Sequence, residues 1–152
     1  SAPLHDIGKV GIPDQILMKP GPLTTEEREV MQTHTILGCE AISSAEKDID
    51  RSVAFLSNVK EIVRWHHECW DGTGYPDGLR GEEIPLSARI MAIADVFDAL
   101  ITKRVYKDAL SFPDVKAIIA GERGKQFDPD IVDTFLHHWD AFKTIAIEGA
   151  AC

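Results

Sequence analysis

The sequence predicts an all-α fold. Three observations carry that prediction: apolar residues recur at steps of three and four, several of these runs open on capping residues, and no stretch alternates apolar and polar as a strand does. No internal repeat, low-complexity tract or linker divides the 152 residues, so a single domain with one continuous core is expected.

Thr24-Thr25-Glu26-Glu27 reads as a capping box, with Thr24 as the N-cap and Glu27 reaching back to it. The helix it opens carries Val30, Met31, His34, Leu37, Gly38 and Ala41 on one stripe. A second helix is expected from about Arg51 to His67, with Val53, Leu56, Val59, Ile62, Val63 and His66 on one side. Residues 71–87 are dense in Gly and Pro and read as a loop. Ala88 to Thr102 is apolar almost all round, which predicts a buried helix. Ser111-Phe112-Pro113-Asp114 and Asp128-Pro129 open two more helices, each with an N-cap residue and a Pro near the first turn.

Composition narrows the function classes. Hydrophobic residues make up 44% and charged residues 27%, as in an ordinary soluble domain. No apolar run approaches the roughly 20 residues that span a bilayer, and no basic and apolar leader opens the chain. A cytoplasmic protein without membrane insertion is expected. Cys39, Cys69 and Cys152 are odd in number and lack paired zinc spacing, which predicts reduced thiols. The net charge of −9 argues against a nucleic-acid polymer as partner. It does not exclude a small anion, because divalent metals and a few local cations can reverse the field inside one cleft.

The chemistry concentrates in His66-His67-Glu68-Cys69-Trp70-Asp71-Gly72-Thr73-Gly74-Tyr75-Pro76. Vicinal histidines are useful only when both imidazoles point inward. Far upstream, His5-Asp6 stands among apolar Leu4, Ile7 and Val10, where an unpaired charge is expensive. On a helix Lys9 would share their face, and an Asp6–Lys9 surface pair is the plain alternative. His34 lies on an apolar stripe, where a hydrogen-bonded core histidine is the alternative. Asp95 sits in the apolar run Ile93-Ala94-Asp95-Val96-Phe97 and needs a partner or a metal, while Asp98 could instead pair with Arg104. His5, Asp6, His34, His66, His67 and Asp95 supply enough nitrogen and oxygen donors for a centre of more than one ion. His137-His138 belongs to a late helix without an acidic or glycine loop and reads as surface, and Cys69 reads as a bystander.

In that order, His5-Asp6-Ile7-Gly8-Lys9, His34, His66-His67-Glu68, Asp71-Gly72-Thr73-Gly74-Tyr75-Pro76 and Asp95 resemble the HD-GYP family. Arg104-Val105-Tyr106-Lys107 and Phe127-Asp128-Pro129 fit it as well, and the resemblance runs from Leu4 to about Phe142. It implies an HD-superfamily helical bundle with a GYP-containing loop and two or three divalent ions, usually iron or manganese. The implied activity is hydrolysis of cyclic di-GMP to linear pGpG and on to GMP. Carried over, Asp6 bridges two metals, His5 and Asp95 complete one, and His34, His66 and His67 bind the other. A hydroxide shared by two ions is a nucleophile at neutral pH. Lys9 would meet the phosphate or leaving oxygen, Arg104 and Lys107 the non-reacting phosphate, and Tyr75 would line the pocket. A donor set of nitrogen and oxygen without thiolate suits iron or manganese better than structural zinc.

Family members carry a further metal-binding His, and three-metal members a Glu, on a helix before the His-Asp pair. The resemblance therefore implies a single domain over 1–152 that lacks its first helices. One metal would be short of a ligand, and Leu4, Ile7, Val10 and Ile12 would form an apolar side that drives self-association. Two alternatives stand beside the enzyme. One is a regulatory module whose GYP loop docks a diguanylate cyclase, with weak or no hydrolysis; the other is an HD phosphohydrolase acting on another nucleotide.

Overall fold

The computed structural model describes residues 4–47, 54–102 and 109–149. Within them the structure is helical, and the only strand-like pairing is an isolated bridge between Arg123 and Phe127. A 3-10 turn over Ile7–Gly11 is followed by a single helical turn, α1 (Asp14–Leu17), then α2 (Thr25–Gln32), α3 (His34–Lys47) and α4 (Ala54–Trp65). A loop containing a short 3-10 turn at Gly81–Glu83 leads to α5 (Leu86–Ile101), α6 (Phe112–Gly121), α7 (Pro129–His137) and α8 (Trp139–Gly149). The 3-10 turn and α4 both pack on α3, α5 packs on α4, and α6 and α7 pack on α5.

The caps act as the sequence predicts. Thr24 accepts from the Glu27 N–H at 3.3 Å, and the Glu27 carboxylate accepts from the Thr24 N–H at 2.8 Å. Ser111 and Asp128 accept the N–H groups of Asp114 and Asp130 at the starts of α6 and α7.

One expected helix is divided. The helix opened by Thr24 stops at Gln32, because the Thr33 hydroxyl donates to the Val30 carbonyl at 2.6 Å and competes with the backbone ladder. The chain restarts at once as α3, which puts His34 on a first turn rather than mid-helix. The late helix ends at His137, and Trp139 opens α8 as a buried residue. The second helix ends at Trp65, so His66 and His67 lie just beyond α4 rather than on it. His5 and Asp6 likewise precede their 3-10 turn instead of riding a helix.

Helix α5 is not buried all round. Ala88, Ala92, Ile93 and Phe97 are buried, but Ile90 is 51% exposed, because α4, α6 and α7 cover one side only. Of the apolar residues around the His-Asp pair, Leu4, Ile7 and Val10 are exposed. Ile12 differs from that expectation: the chain leaves the 3-10 turn extended at Ile12, whose side chain is only 3% exposed.

The main apolar cluster lies at the far end of α5. Phe97, Val115, Ile119, Phe127, Val132, Phe135 and Trp139 pack together there, with Phe97, Phe135 and Trp139 meeting edge to face.

Candidate metal centre

Glycine brings the His-Asp segment onto α3. A Cβ on Gly8 would lie 1.8 Å from the His34 carbonyl oxygen, and one on Gly38 would lie 2.6 Å from Val63 and 3.1 Å from the Gly8 nitrogen. No larger residue allows backbone and helix to approach so closely. The contact lays Asp6 against the first turn of α3 and the end of α4.

The result is a convergence of polar atoms. Ligand atoms of Asp6, His34, His66 and His67 all lie within 4.8 Å of one another, the group among the described residues that could hold a metal ion. The Asp6 Oδ1 atom is 3.4 Å from His34 Nε2 and 4.0 Å from His66 Nε2. His5 adjoins the group, its Nε2 lying 3.3 Å from Asp6 Oδ2 and 3.5 Å from Asp95 Oδ1. The His66 and His67 rings are 4.0 Å apart between centroids.

Hydrogen bonding decides which nitrogen faces inward. His34 Nδ1 donates to the Met31 carbonyl at 2.7 Å, and His66 Nδ1 to the Ile62 carbonyl at 2.9 Å. With the proton held on Nδ1, each ring presents the Nε2 lone pair to the cluster. Those two Nε2 atoms and Asp6 Oδ1 are buried and have no hydrogen-bond partner. Buried polar atoms are almost always satisfied. Three orphans converging on one point, each a lone-pair donor, fit a bound cation.

Electrostatics points the same way. Burial pushes the His66 pKa down to about 4. Burial, with His66 and His34 alongside, pushes that of His67 down to about 3. Burial also lowers His34. The rings are therefore neutral and able to coordinate. Burial would raise Asp6, but hydrogen bonds with His5 and Lys9 outweigh it and hold the carboxyl well below the usual range. The hydrogen bond with His5 lowers Asp95.

Lys9 Nζ donates to Asp6 Oδ2 at 2.6 Å, the pair that the sequence offered as an alternative. Tyr75 stacks on His67 with ring centroids 4.9 Å apart, and its hydroxyl pKa is raised by burial and by Asp6 and Asp95. Arg104 and Lys107 lie outside the described residues. His137 and His138 are exposed, and Cys69 is not in the ligand group. The sequence reading missed Gly8 and Gly38, whose signal is a pair of glycines flanking metal-ligand types, and gave no task to Glu68. Glu68 is buried and turned toward the loop, accepting the N–H groups of Asp77, Gly78 and Leu79.

This geometry agrees with what comparison finds. The model of the HD domain family matches residues 1–131, and the chain belongs to that family, as one of its HD-GYP type. The chain is 55% identical, over 96% of its length, to 33% of a probable cyclic di-GMP phosphodiesterase of Vibrio cholerae. A cyclic di-GMP phosphodiesterase of the same organism is 56% identical over 96% of the chain and 30% of its own length. A third Vibrio cholerae relative, a 3'3'-cGAMP-specific phosphodiesterase, is 45% identical over 95% of the chain and 27% of its own length. The chain thus spans about a third of the length of the curated relatives it matches. Membership implies a divalent metal, and the cluster around Asp6 offers the donors for one. No helix among the described residues is long and apolar enough to cross a membrane.

Proposed function

We propose that this chain carries the metal-dependent phosphodiesterase site of a protein that hydrolyses cyclic di-GMP to linear pGpG and on to GMP. One observation carries the reading: Asp6 Oδ1, His34 Nε2 and His66 Nε2 are buried, unsatisfied and aimed at one another. Asp6, His34, His66 and His67 would hold one ion, and Asp6 with His5 and Asp95 a second. Iron or manganese suits that nitrogen and oxygen set. When bound, such ions supply a strong nucleophile from water at neutral pH and neutralise charge on the phosphoryl oxygens.

The remaining work falls to the chain itself. Burial keeps the three buried-site histidines unprotonated, so protons do not compete for their lone pairs at neutral pH. Lys9 holds Asp6 ionised with one N–H and has two further donors for a phosphate oxygen. Tyr75, stacked on His67, would line the substrate's side of the metal site. Arg104 and Lys107 would hold the second phosphate, the local cations that an acidic chain needs for a dianionic substrate.

A second reading is 3'3'-cGAMP as substrate, favoured by the relative whose name specifies it. That compound replaces one guanine by adenine, so the metal site serves either and discrimination falls on residues that meet the bases.

The test is metal-free protein reloaded with Fe²⁺ or Mn²⁺, with metal counted per chain and both dinucleotides followed by chromatography. Linear product should form only with metal and vanish in Asp6→Ala. Bound metal with no product from either dinucleotide would replace the enzyme by a binding module.

A further inference from the structure

We propose that Glu68 is a positioning residue: its carboxylate latches the loop so that Tyr75 is held over His67, and thereby sets substrate binding without holding metal. The inference rests on the phosphodiesterase reading for its substrate, a cyclic dinucleotide, but not for its geometry.

Glu68 follows the two metal-site histidines directly, yet it is absent from the ligand group. It is 2% exposed, and both its oxygens are engaged elsewhere. Oε1 accepts the N–H groups of Asp77 at 2.8 Å and Gly78 at 3.0 Å, and Oε2 accepts that of Leu79 at 3.1 Å. An ionised carboxylate only accepts, so three successive backbone donors give both its oxygens partners. The two ends of segment 68–79 thus close on one side chain.

Inside that closure the backbone is compressed against Glu68. A Cβ on Gly74 would lie 2.3 Å from the Cys69 nitrogen and 2.5 Å from Glu68 Cα. The next residue, Tyr75, donates its N–H to the His67 carbonyl at 3.3 Å and lays its ring on the His67 imidazole at an interplanar angle of 27°. Asp77 adds an outer clamp. Its carboxylate accepts from Arg64 Nε at 2.9 Å and Nη2 at 3.0 Å, and from Trp65 Nε1 at 2.7 Å, all on the last turn of α4. His66 and His67 are delivered by α4, and His66 is fixed by its own bond to Ile62. Removing Glu68 therefore frees the loop while leaving the ligands in place.

The experiment compares Glu68→Gln, Glu68→Ala, Tyr75→Ala and the double variant Glu68→Ala/Tyr75→Ala in manganese-loaded protein, with cyclic di-GMP and 3'3'-cGAMP as substrates. Metal per chain should stay at the unsubstituted value. Glu68→Ala should raise KM about ten-fold, the loss of a matched buried acceptor, with kcat within about two-fold. Glu68→Gln should fall between, because its amide nitrogen opposes the Leu79 N–H while its oxygen still serves the other two. The double variant should be no worse than Tyr75→Ala within about two-fold, since Glu68 acts through Tyr75. Amide hydrogen exchange, read in metal-free protein, should quicken over residues 75–79 and stay slow in α4. Should Glu68→Ala not fold, Glu68→Gln against Tyr75→Ala decides the same points. Additive losses, metal loss, or unchanged exchange at residues 75–79 would overturn the latch. An unsubstituted protein that turns over neither dinucleotide overturns the phosphodiesterase reading instead, and the exchange rates still judge the latch.

Discussion

Around Phe97 the interior is carbon against carbon, with Val115, Ile119, Val132, Phe135 and Trp139 closing on one another. Around Asp6, the same chain buries lone pairs against lone pairs. The first arrangement stabilises the fold wherever water is expelled. The second costs free energy on its own, since unpaired buried polar atoms lose hydration and gain nothing. A cation supplies the missing partner. One region thus holds the protein together, and the other stores an unmet demand that the fold keeps in place.

The largest expected effect is on the apolar side. Phe135→Ala should cost about 3–5 kcal/mol, the usual range for emptying an aromatic core position. Urea unfolding would measure it. Metal bound per folded molecule should not change; if it falls, the two regions are not separable.

Next comes the glycine contact. Gly8→Ala drives a methyl into the His34 carbonyl, so a loss of about 1–3 kcal/mol or more is expected, with weakened metal affinity. Gly121, at the end of α6, has nothing within 4 Å of an added Cβ. Gly121→Ala should therefore be neutral or mildly stabilising. Paired melting curves and metal titrations on both variants would check the contrast.

Removing the metal sharpens the comparison further. With free metal at 100 times its Kd, chelation should lower stability by about 2.7 kcal/mol for each ion bound. In His34→Ala the gap between loaded and chelated protein should narrow by the share of the ion that His34 would hold, whereas in Phe135→Ala it should persist. Thermal melts with and without chelator would separate them.

Acid should act on the polar region of the metal-free protein. His66 titrates near 6.5 when unfolded but only at about 4 when folded, so the unfolded state binds more protons between those values. The contribution is full above pH 6.5 and is lost as pH falls toward about 4. His67, held down to about 3, extends the decline to lower pH. Denaturant midpoints across that range should fall, and should fall less when His66 is replaced by leucine. The smallest effect is remote from both regions: Thr24→Ala removes an N-cap and should cost about 1 kcal/mol by thermal melt, with metal binding unchanged.

Much of this was legible in the chain. The caps at Thr24, Ser111 and Asp128 were readable because an N-cap and its partner lie within one turn. The six donor residues stood out because His and Asp among apolar neighbours are costly without a partner. The break at Thr33 was not readable, since the apolar period runs through it and only a local hydrogen bond interrupts it. Nor was the exposure of Ile90, because an apolar residue reports a preference for burial and not whether a neighbouring helix arrives to cover it.

By itself, then, the sequence determined the helical class, the capped starts of α2, α6 and α7 and the kinds of donor available, all of them readable from residues a turn or less apart. Tertiary structure decided which atoms meet. The Gly8–Gly38 contact, the inward Nε2 lone pairs and the Glu68 hold on Asp77, Gly78 and Leu79 join residues from separate elements. Periodicity fixes the face on which a side chain stands, but how closely two faces approach depends on the packing of the whole.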